Sequence, residues 1–241
     1  MPEIFFNGPA GRIEGMYAES TNSKAPIALV LHPHPIYGGT MNNKVVYNVY
    51  KTLFENDFTV LRINFRGVGK SMGEYDEGFG EMTDAATALD WLQTRYPMNK
   101  INLIAGFSFG AWIAMQLIMR RPEITNFIAV SPPVDRYDFS FLNPCPIPGL
   151  IIQGNMDSVV SETSVHELVQ RLSKQKNIHV DYSMITGADH FFREKINQLN
   201  TEVDNYLKSI FDHQESTILD KQQATSSLKK TQLKKRKMFL D

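Results

Sequence analysis

The chain has 241 residues, of which 42% are hydrophobic and 21% charged, and its formal net charge is -1 with a pI near 6.6. This length and composition can bury one α/β core, and the near-neutral charge favours a small neutral substrate over nucleic acid as the main partner. Cys145 is the only cysteine, so no intrachain disulfide can form. No apolar stretch approaches the ~18 residues that span a bilayer, and we expect a soluble, cytoplasmic protein.

The first half of the chain predicts a hairpin followed by alternating strands and helices. Residues 4–6 and 12–18 flank a turn-rich segment, which indicates an antiparallel hairpin at a sheet edge. Residues 27–31 and 59–65 are β-prone runs, and residues 44–56 between them have helical spacing. A polar, glycine-rich loop then leads to a helix that ends near Pro97.

The second half continues the same alternation. Residues 100–121 predict a buried strand, a glycine-framed serine and a helix that is apolar on every face. Further strands are expected at residues 125–130, 150–153 and 178–185, and helices around 165–172 and 196–210. Such alternation implies a mainly parallel sheet that helices cover on both faces, with functional loops at the carboxyl ends of the strands.

Gly106 to Gly110, with the sequence GFSFG, suits a sharp turn from a strand into a helix. Glycines two residues before and after Ser108 leave room where strand and helix approach closely. The turn holds the serine hydroxyl out of the regular backbone, and the positive end of the helix points at the reacting oxygen. The alternative interpretation is a serine that merely caps a buried helix.

Four motifs in this order resemble the α/β-hydrolase superfamily, specifically small bacterial serine hydrolases related to dienelactone hydrolase and to short acyl esterases. They are LVLHPHPIYGG, NFRGVGKS, GFSFG, and the pair QGNMDSVV and TGADHFF, and the resemblance covers roughly residues 13–211. It implies an α/β-hydrolase fold with a mainly parallel, twisted sheet of about eight strands. Only residues 131–148 separate two predicted strands where many relatives insert a lid, so we expect no lid domain.

The resemblance implies a catalytic triad of Ser108, Asp157 and His190, because the acid and the base follow the serine in the family's order. His190 would take the serine proton and Asp157 would hold the imidazole in the right tautomer. Asp135, in SPPVDRYD, is the rival acid, since some relatives carry theirs after the preceding strand.

The histidine-rich loop is predicted to supply the oxyanion hole. Pro33 and Pro35 have no N–H, so His34 is the only backbone donor among these three positions. We assign the oxyanion hole to the N–H groups of His34 and Phe109. The imidazoles of His32 and His34 are expected to brace the loop, and without a nearby carboxylate they do not indicate zinc. We predict neither a metal nor a cofactor.

NFRGVGKS resembles the strand-end sequence of the family, which usually begins with Asp where this chain has Asn64. It also mimics part of a phosphate loop, but the strict form of that loop needs Gly at position 64 and a helix immediately afterwards. A turn that closes the floor of the site is the preferred interpretation.

We expect an open site whose apolar wall includes Phe107, Phe139, Phe141 and Phe191. The preferred substrate is an ester or a thioester with a modest acyl group, cleaved through an acyl-enzyme. Amide or peptide cleavage and a non-catalytic binding protein of the same fold remain the alternatives.

The domain is predicted to span residues 1–215, and residues 216–241 a basic, disordered tail. The tail carries seven Lys or Arg against two Asp. Its clustered charge could contact anionic lipid or nucleic acid, although a solvated tail is the simpler interpretation. The sequence does not indicate an oligomeric state.

Overall fold

The computed structural model describes residues 2–99, 102–176 and 178–212. Its centre is one eight-stranded sheet with the strand order β1-β2-β4-β3-β5-β6-β7-β8. The strands are β1 (Glu3–Gly8), β2 (Gly11–Ala18), β3 (Ile27–Leu31), β4 (Thr59–Ile63), β5 (Asn102–Phe107), β6 (Asn126–Val130), β7 (Gly149–Gly154) and β8 (Val180–Ile185).

Four helices connect these strands: α1 (Lys44–Glu55), α2 (Phe79–Arg95), α3 (Phe109–Ile118) and α4 (Glu162–Ser173). Two 3-10 turns, Pro35–Tyr37 and Ser140–Leu142, lie in loops, and residues 196–212 are helical. The connection from β6 to β7 contains only the second of these turns, and the fold has no lid domain. None of the helices in the described ranges is both long and apolar enough to cross a membrane.

The sheet is parallel from β3 to β8 and antiparallel at the other end. β1 pairs antiparallel with β2, which pairs antiparallel with β4. The remaining neighbours run parallel. The predicted hairpin and the predicted mainly parallel sheet are therefore confirmed. Parallel strands bring the loops after β5, β7 and β8 to the same end of the sheet.

The central strands are buried on both faces. Every residue of β3 to β7 is buried, which explains why their sequences are mostly apolar and lack a regular alternation of polar and apolar residues. The helix α3 is apolar all round for the same reason, since it packs against α2 on one side and the sheet on the other. The turn at Ser108, which precedes α3, is therefore attached to a tightly packed helix.

The chain divides by its internal contacts into residues 1–204 and 205–241. The first unit contains the whole sheet and the helices α1 to α4. In the second unit, residues 205–212 are described and are helical. The predicted tail, residues 216–241, lies outside the described residues, so the domain boundary at 215 stays a prediction.

Candidate active site

Ser108 stands in a strained turn between β5 and α3. Its backbone has φ 54° and ψ -120°, a conformation that non-glycine residues rarely adopt. Its N–H donates to the carbonyl of Val130 over 2.8 Å, which anchors the turn to the neighbouring strand. A Cβ added at Gly106 would lie 2.2 Å from the carbonyl oxygen of Gly110. The close approach of strand and helix that the GFSFG pattern predicts is thus confirmed.

Three side chains from the loops after β5, β7 and β8 form a continuous hydrogen-bonded chain. His190 Nε2 lies 3.2 Å from Ser108 Oγ, and His190 Nδ1 lies 2.7 Å from Asp157 Oδ2. The side chain of His190 is 6% exposed and that of Asp157 is fully buried. The imidazole therefore connects a buried carboxylate to a half-buried hydroxyl.

The carboxylate of Asp157 is held ionised by several donors. Burial by itself raises its pKa, but the hydrogen bond and charge of His190 and the N–H groups of Val160 and Val159 lower the pKa below its usual value. The two N–H groups donate to Oδ1 over 2.8 and 2.9 Å. Gln153 Nε2 donates to Oδ2 over 3.1 Å. The carboxylate is fixed in one orientation toward the imidazole.

The backbone N–H groups of His34 and Phe109 make no hydrogen bond with any described residue. The two segments are packed together, since a Cβ at Gly110 would lie only 2.5 Å from the carbonyl oxygen of Leu31 and 2.6 Å from that of His32. The rings of His34 and Phe109 are 4.9 Å apart. Two unused donors therefore lie in adjoining segments beside the Ser108 turn.

The two imidazoles of the histidine-rich loop make structural contacts. His32 is fully buried, and burial lowers its pKa to about 4, so it is neutral and accepts the N–H of Phe65 at Nε2 over 3.0 Å. His34 Nδ1 accepts the N–H of Ile36 over 3.3 Å, which places its proton on Nε2, 3.2 Å from the hydroxyl of Tyr75. Both rings thus fix the backbone that carries the His34 N–H.

A cavity of about 770 Å³ opens on Ser108 and His190. Its volume suits a ligand considerably larger than an acetyl ester. The lining is mostly apolar or aromatic, with a single Arg, and consists of Pro33, His34, Tyr37, Gly38, Gly39, Asn43, Ser108, Phe109, Pro133, Arg136, Tyr137, Val159, His190 and Phe191.

The predicted phenylalanine wall is only partly present. Phe191 lines the cavity, whereas Phe107, Phe139 and Phe141 do not. Phe107 ends β5 and is buried beside the ring of His190, 5.0 Å between centroids. Phe139 and Phe141 stack on each other and pack with the hydrophobic core. The lining also includes the aromatic side chain of Tyr137, which stacks on Trp112 with 4.2 Å between the ring centroids.

Asp135 is not a member of the hydrogen-bonded chain. Its Oδ2 accepts the N–H of Ser161 over 2.7 Å, and it therefore tethers the start of α4. Asn64 also has a structural environment, because it accepts the N–H of Met41 over 2.8 Å and donates to Glu14 over 2.8 Å. The Asn64 side chain, in the loop that resembles a phosphate loop, is thus engaged in hydrogen bonds within the protein.

Three residues near the site were not predicted from the sequence: Gln153, Arg136 and Tyr137. Gln153 is completely buried at the end of β7, and a polar residue in an otherwise apolar strand was the available signal. Arg136 and Tyr137 lie in a loop without a motif, so only the folded structure identifies them. Within the described ranges there is no group of three His, Cys, Asp or Glu side chains that could hold a metal ion.

The fold and the relatives of known structure define an α/β serine hydrolase without a lid. The uncharacterized protein RP471 of Rickettsia prowazekii is 63% identical over 214 residues, which cover 87% of this chain and 90% of that protein. A structure from Agrobacterium tumefaciens, of a protein of unknown function considered a candidate alpha/beta hydrolase, is 51% identical with a TM-score of 0.85, covering 88% of this chain and 97% of that one. XC6422 from Xanthomonas campestris, a serine hydrolase without lid, is 30% identical with a TM-score of 0.78, covering 86% and 94%.

The sequence model of the family described as X-Pro dipeptidyl-peptidase (S15 family) matches residues 17–236. The chain belongs to this family of α/β hydrolases. The family and the relatives confirm the resemblance to lid-less bacterial α/β hydrolases that the motifs indicate.

Proposed function

We propose that the protein hydrolyses a small ester or thioester through an acyl-enzyme formed on Ser108. The observation that carries the proposal is the hydrogen-bonded chain from Asp157 through His190 to Ser108, which ends at a cavity large enough for an acyl substrate. A buried carboxylate, an oriented imidazole and a hydroxyl that opens on a cavity are the parts that activate a serine for acyl transfer.

In the first half-reaction, Ser108 Oγ attacks the carbonyl carbon while His190 Nε2 takes the hydroxyl proton. The bond electrons move to the carbonyl oxygen, and the N–H groups of His34 and Phe109 stabilise the resulting oxyanion. His190 then delivers the proton to the leaving alcohol or thiol as the tetrahedral intermediate collapses. Asp157 accepts the Nδ1–H throughout and stabilises the imidazolium cation.

In the second half-reaction, water replaces the leaving group. His190 takes a proton from the water as it attacks the acyl carbon, and returns that proton to Ser108 Oγ when the acid departs. Each half-reaction uses the same oxyanion donors. No step needs a metal or a cofactor, because the attacking and leaving atoms exchange only one proton with the imidazole.

The family description offers peptide cleavage as a second candidate. An X-Pro dipeptidyl-peptidase acts at the amino terminus of a peptide, where the substrate carries an ammonium group that an acidic side chain would recognise. Among the described residues that line the cavity there is no Asp or Glu, and the lining contains a cation, Arg136, instead. This lining favours an ester or thioester over a peptide with a free amino terminus.

The proposal is tested with a fluorophosphonate probe and a panel of esters, thioesters and X-Pro anilides of graded size. The wild-type protein should be labelled once and should hydrolyse esters or thioesters faster than the anilides. Ser108→Ala should abolish both labelling and turnover, whereas Ser158→Ala, at an exposed serine beside the triad carboxylate, should retain both. Stoichiometric labelling of Ser108→Ala would refute the nucleophile, and preferential turnover of the anilides would establish the peptidase alternative.

A further inference from the structure

We infer that the substrate carries a negative charge remote from the scissile bond, and that Arg136 recognises this charge. The inference rests on the proposed function and deepens it by naming the class of substrate. An anionic substrate differs from the neutral substrate that the net charge of the whole chain suggests. The reason is that the cavity lining includes Arg136 and neither Asp nor Glu, whereas the charges of the whole chain nearly cancel.

Arg136 is a cation without an ion-pair partner among the described residues. It follows β6, it lines the cavity, and its side chain forms neither a salt bridge nor a hydrogen bond in the described ranges. The nearest carboxylates in sequence are engaged elsewhere. Asp135 accepts the N–H of Ser161, and Asp138 accepts both the N–H and the hydroxyl of Ser140, each over 2.7 Å. The guanidinium is thus available to a ligand.

The rest of the lining reinforces the positive charge. Asn43 lines the cavity and caps α1, and Ser108 stands at the N-terminus of α3, so two helices begin at this cavity with their positive ends. Asn43 Oδ1 is occupied by the N–H of Val45 at 2.9 Å, which leaves its amide NH₂ group as a donor. The side chain of Asp157, the carboxylate that contacts His190, is fully buried and does not line the cavity.

The charge of Arg136 acts on the cavity that contains Ser108. The pKa of the His34 imidazole is lowered, first by burial and then by the positive charge of Arg136. His34 carries one of the two proposed oxyanion donors, so the guanidinium lies within electrostatic reach of the reacting carbonyl group. An Arg in such a position can hold a carboxylate or phosphate through two parallel hydrogen bonds while the ester lies over Ser108.

The test uses two isosteric pairs of chromogenic esters, which place the charge on either side of the scissile bond. One pair is the mono-4-nitrophenyl ester of adipic acid and its terminal primary amide. The other is 3-carboxy-4-nitrophenyl butanoate and its 3-carbamoyl counterpart. In at least one pair, wild-type kcat/KM should be about tenfold higher for the anionic ester, which is the size expected of one charge-assisted contact. The preference should shrink as ionic strength rises from about 0.02 M to about 0.5 M.

Arg136→Gln should reduce the anionic-to-neutral ratio to near one, and Arg136→Lys should retain part of it. The matched control is Arg171→Gln, which removes the same charge from an exposed position on α4 and should keep the wild-type ratio. Melting curves report whether each variant is folded. The inference is overturned if the wild-type protein shows no preference in either pair, or if the preference survives in Arg136→Gln.

The outcomes separate this inference from the proposed function. Ser108-dependent turnover of the neutral esters without any preference for charge overturns the role of Arg136 and leaves the hydrolase assignment intact. An absence of both turnover and fluorophosphonate labelling overturns the hydrolase assignment, and the recognition of a charged ester falls with it.

Discussion

Replacing Asp157 with Asn is the sharpest probe of the hydrogen-bonded chain. Besides His190, three donors converge on this carboxylate, two of them the N–H groups of Val159 and Val160. An Asn can satisfy these N–H groups only with its oxygen, which turns its NH₂ group toward His190 Nδ1. The imidazole must then accept at Nδ1 and carry its proton on Nε2, so that it offers Ser108 a donor where a base is needed.

We expect a large loss of kcat, because the wrong tautomer of His190 cannot act as the general base although its side chain stays in place. By analogy with the same substitution in a serine protease, Asp157→Asn should lower kcat by up to ~10⁴-fold, about 5 kcal/mol of transition-state stabilisation, with a smaller effect on KM. Steady-state kinetics on one 4-nitrophenyl ester measures the loss. Imidazole ¹⁵N shifts of His190 should report the change of tautomer.

The control for this substitution is Asp135→Asn. Because Asp135 accepts the N–H of Ser161 and forms no hydrogen bond with His190, Asp135→Asn should lower kcat by about tenfold at most. Circular dichroism should show both variants folded. If Asp135→Asn is crippled while Asp157→Asn stays within about tenfold of wild type, the reasoning from the Asp157 contacts is refuted.

Three further predictions concern stability. Gly106→Ala should lower the free energy of unfolding by several kcal/mol, because the added Cβ would lie 2.2 Å from a backbone oxygen. Gly38→Ala, whose Cβ would meet no atom within 4 Å but whose φ is +77°, should lower it by about 1 kcal/mol. Equal losses in denaturant unfolding would contradict the close approach at Gly106. Ser108→Gly should be about 1 kcal/mol more stable than Ser108→Ala because it relieves the positive φ, and a less stable Gly variant would argue against strain. Because the pKa of His32 is lowered in the folded protein, the unfolded chain binds a proton at a higher pH than the folded one does. As the pH falls from 6.5 to 4, the free energy of unfolding should therefore drop by about 3 kcal/mol more for wild type than for His32→Gln. Parallel pH profiles of the two proteins would contradict the neutral, buried imidazole.

The sequence predicts the order of strands and helices because the physics of each element is local. Apolar runs such as Ile27–Leu31 indicate a strand buried on both faces, and the structure places β3 at these residues. The GFSFG pattern similarly encodes a close approach of two backbones, which the geometry at Gly106 confirms. The motif order then suggests which residues meet Ser108, since parallel strands expose their following loops at one end of the sheet.

The lining of the cavity could not be predicted in the same way. Phe139 and Phe191 are chemically alike, but one packs with the core and the other faces the cavity, and long-range packing decides between them. Arg136 lies in a loop without periodicity, where nothing local indicates its surroundings. The contacts of Asn64 with Glu14 and Met41 become visible only when distant segments are folded together.

Because β8 lies at the edge of the sheet, the arrangement of His190 and Ser108 should be lost at a lower free energy than the fold as a whole. His190 follows β8, which within the described residues pairs only with β7, whereas Ser108 follows β5 in the middle of the sheet. Edge strands open at lower free energy than central ones, so fluctuations that detach β8 withdraw the base while the serine turn stays folded. Turnover should therefore decline at denaturant concentrations at which the far-UV spectrum is still native, and amide hydrogens of β8 should exchange faster than those of β5.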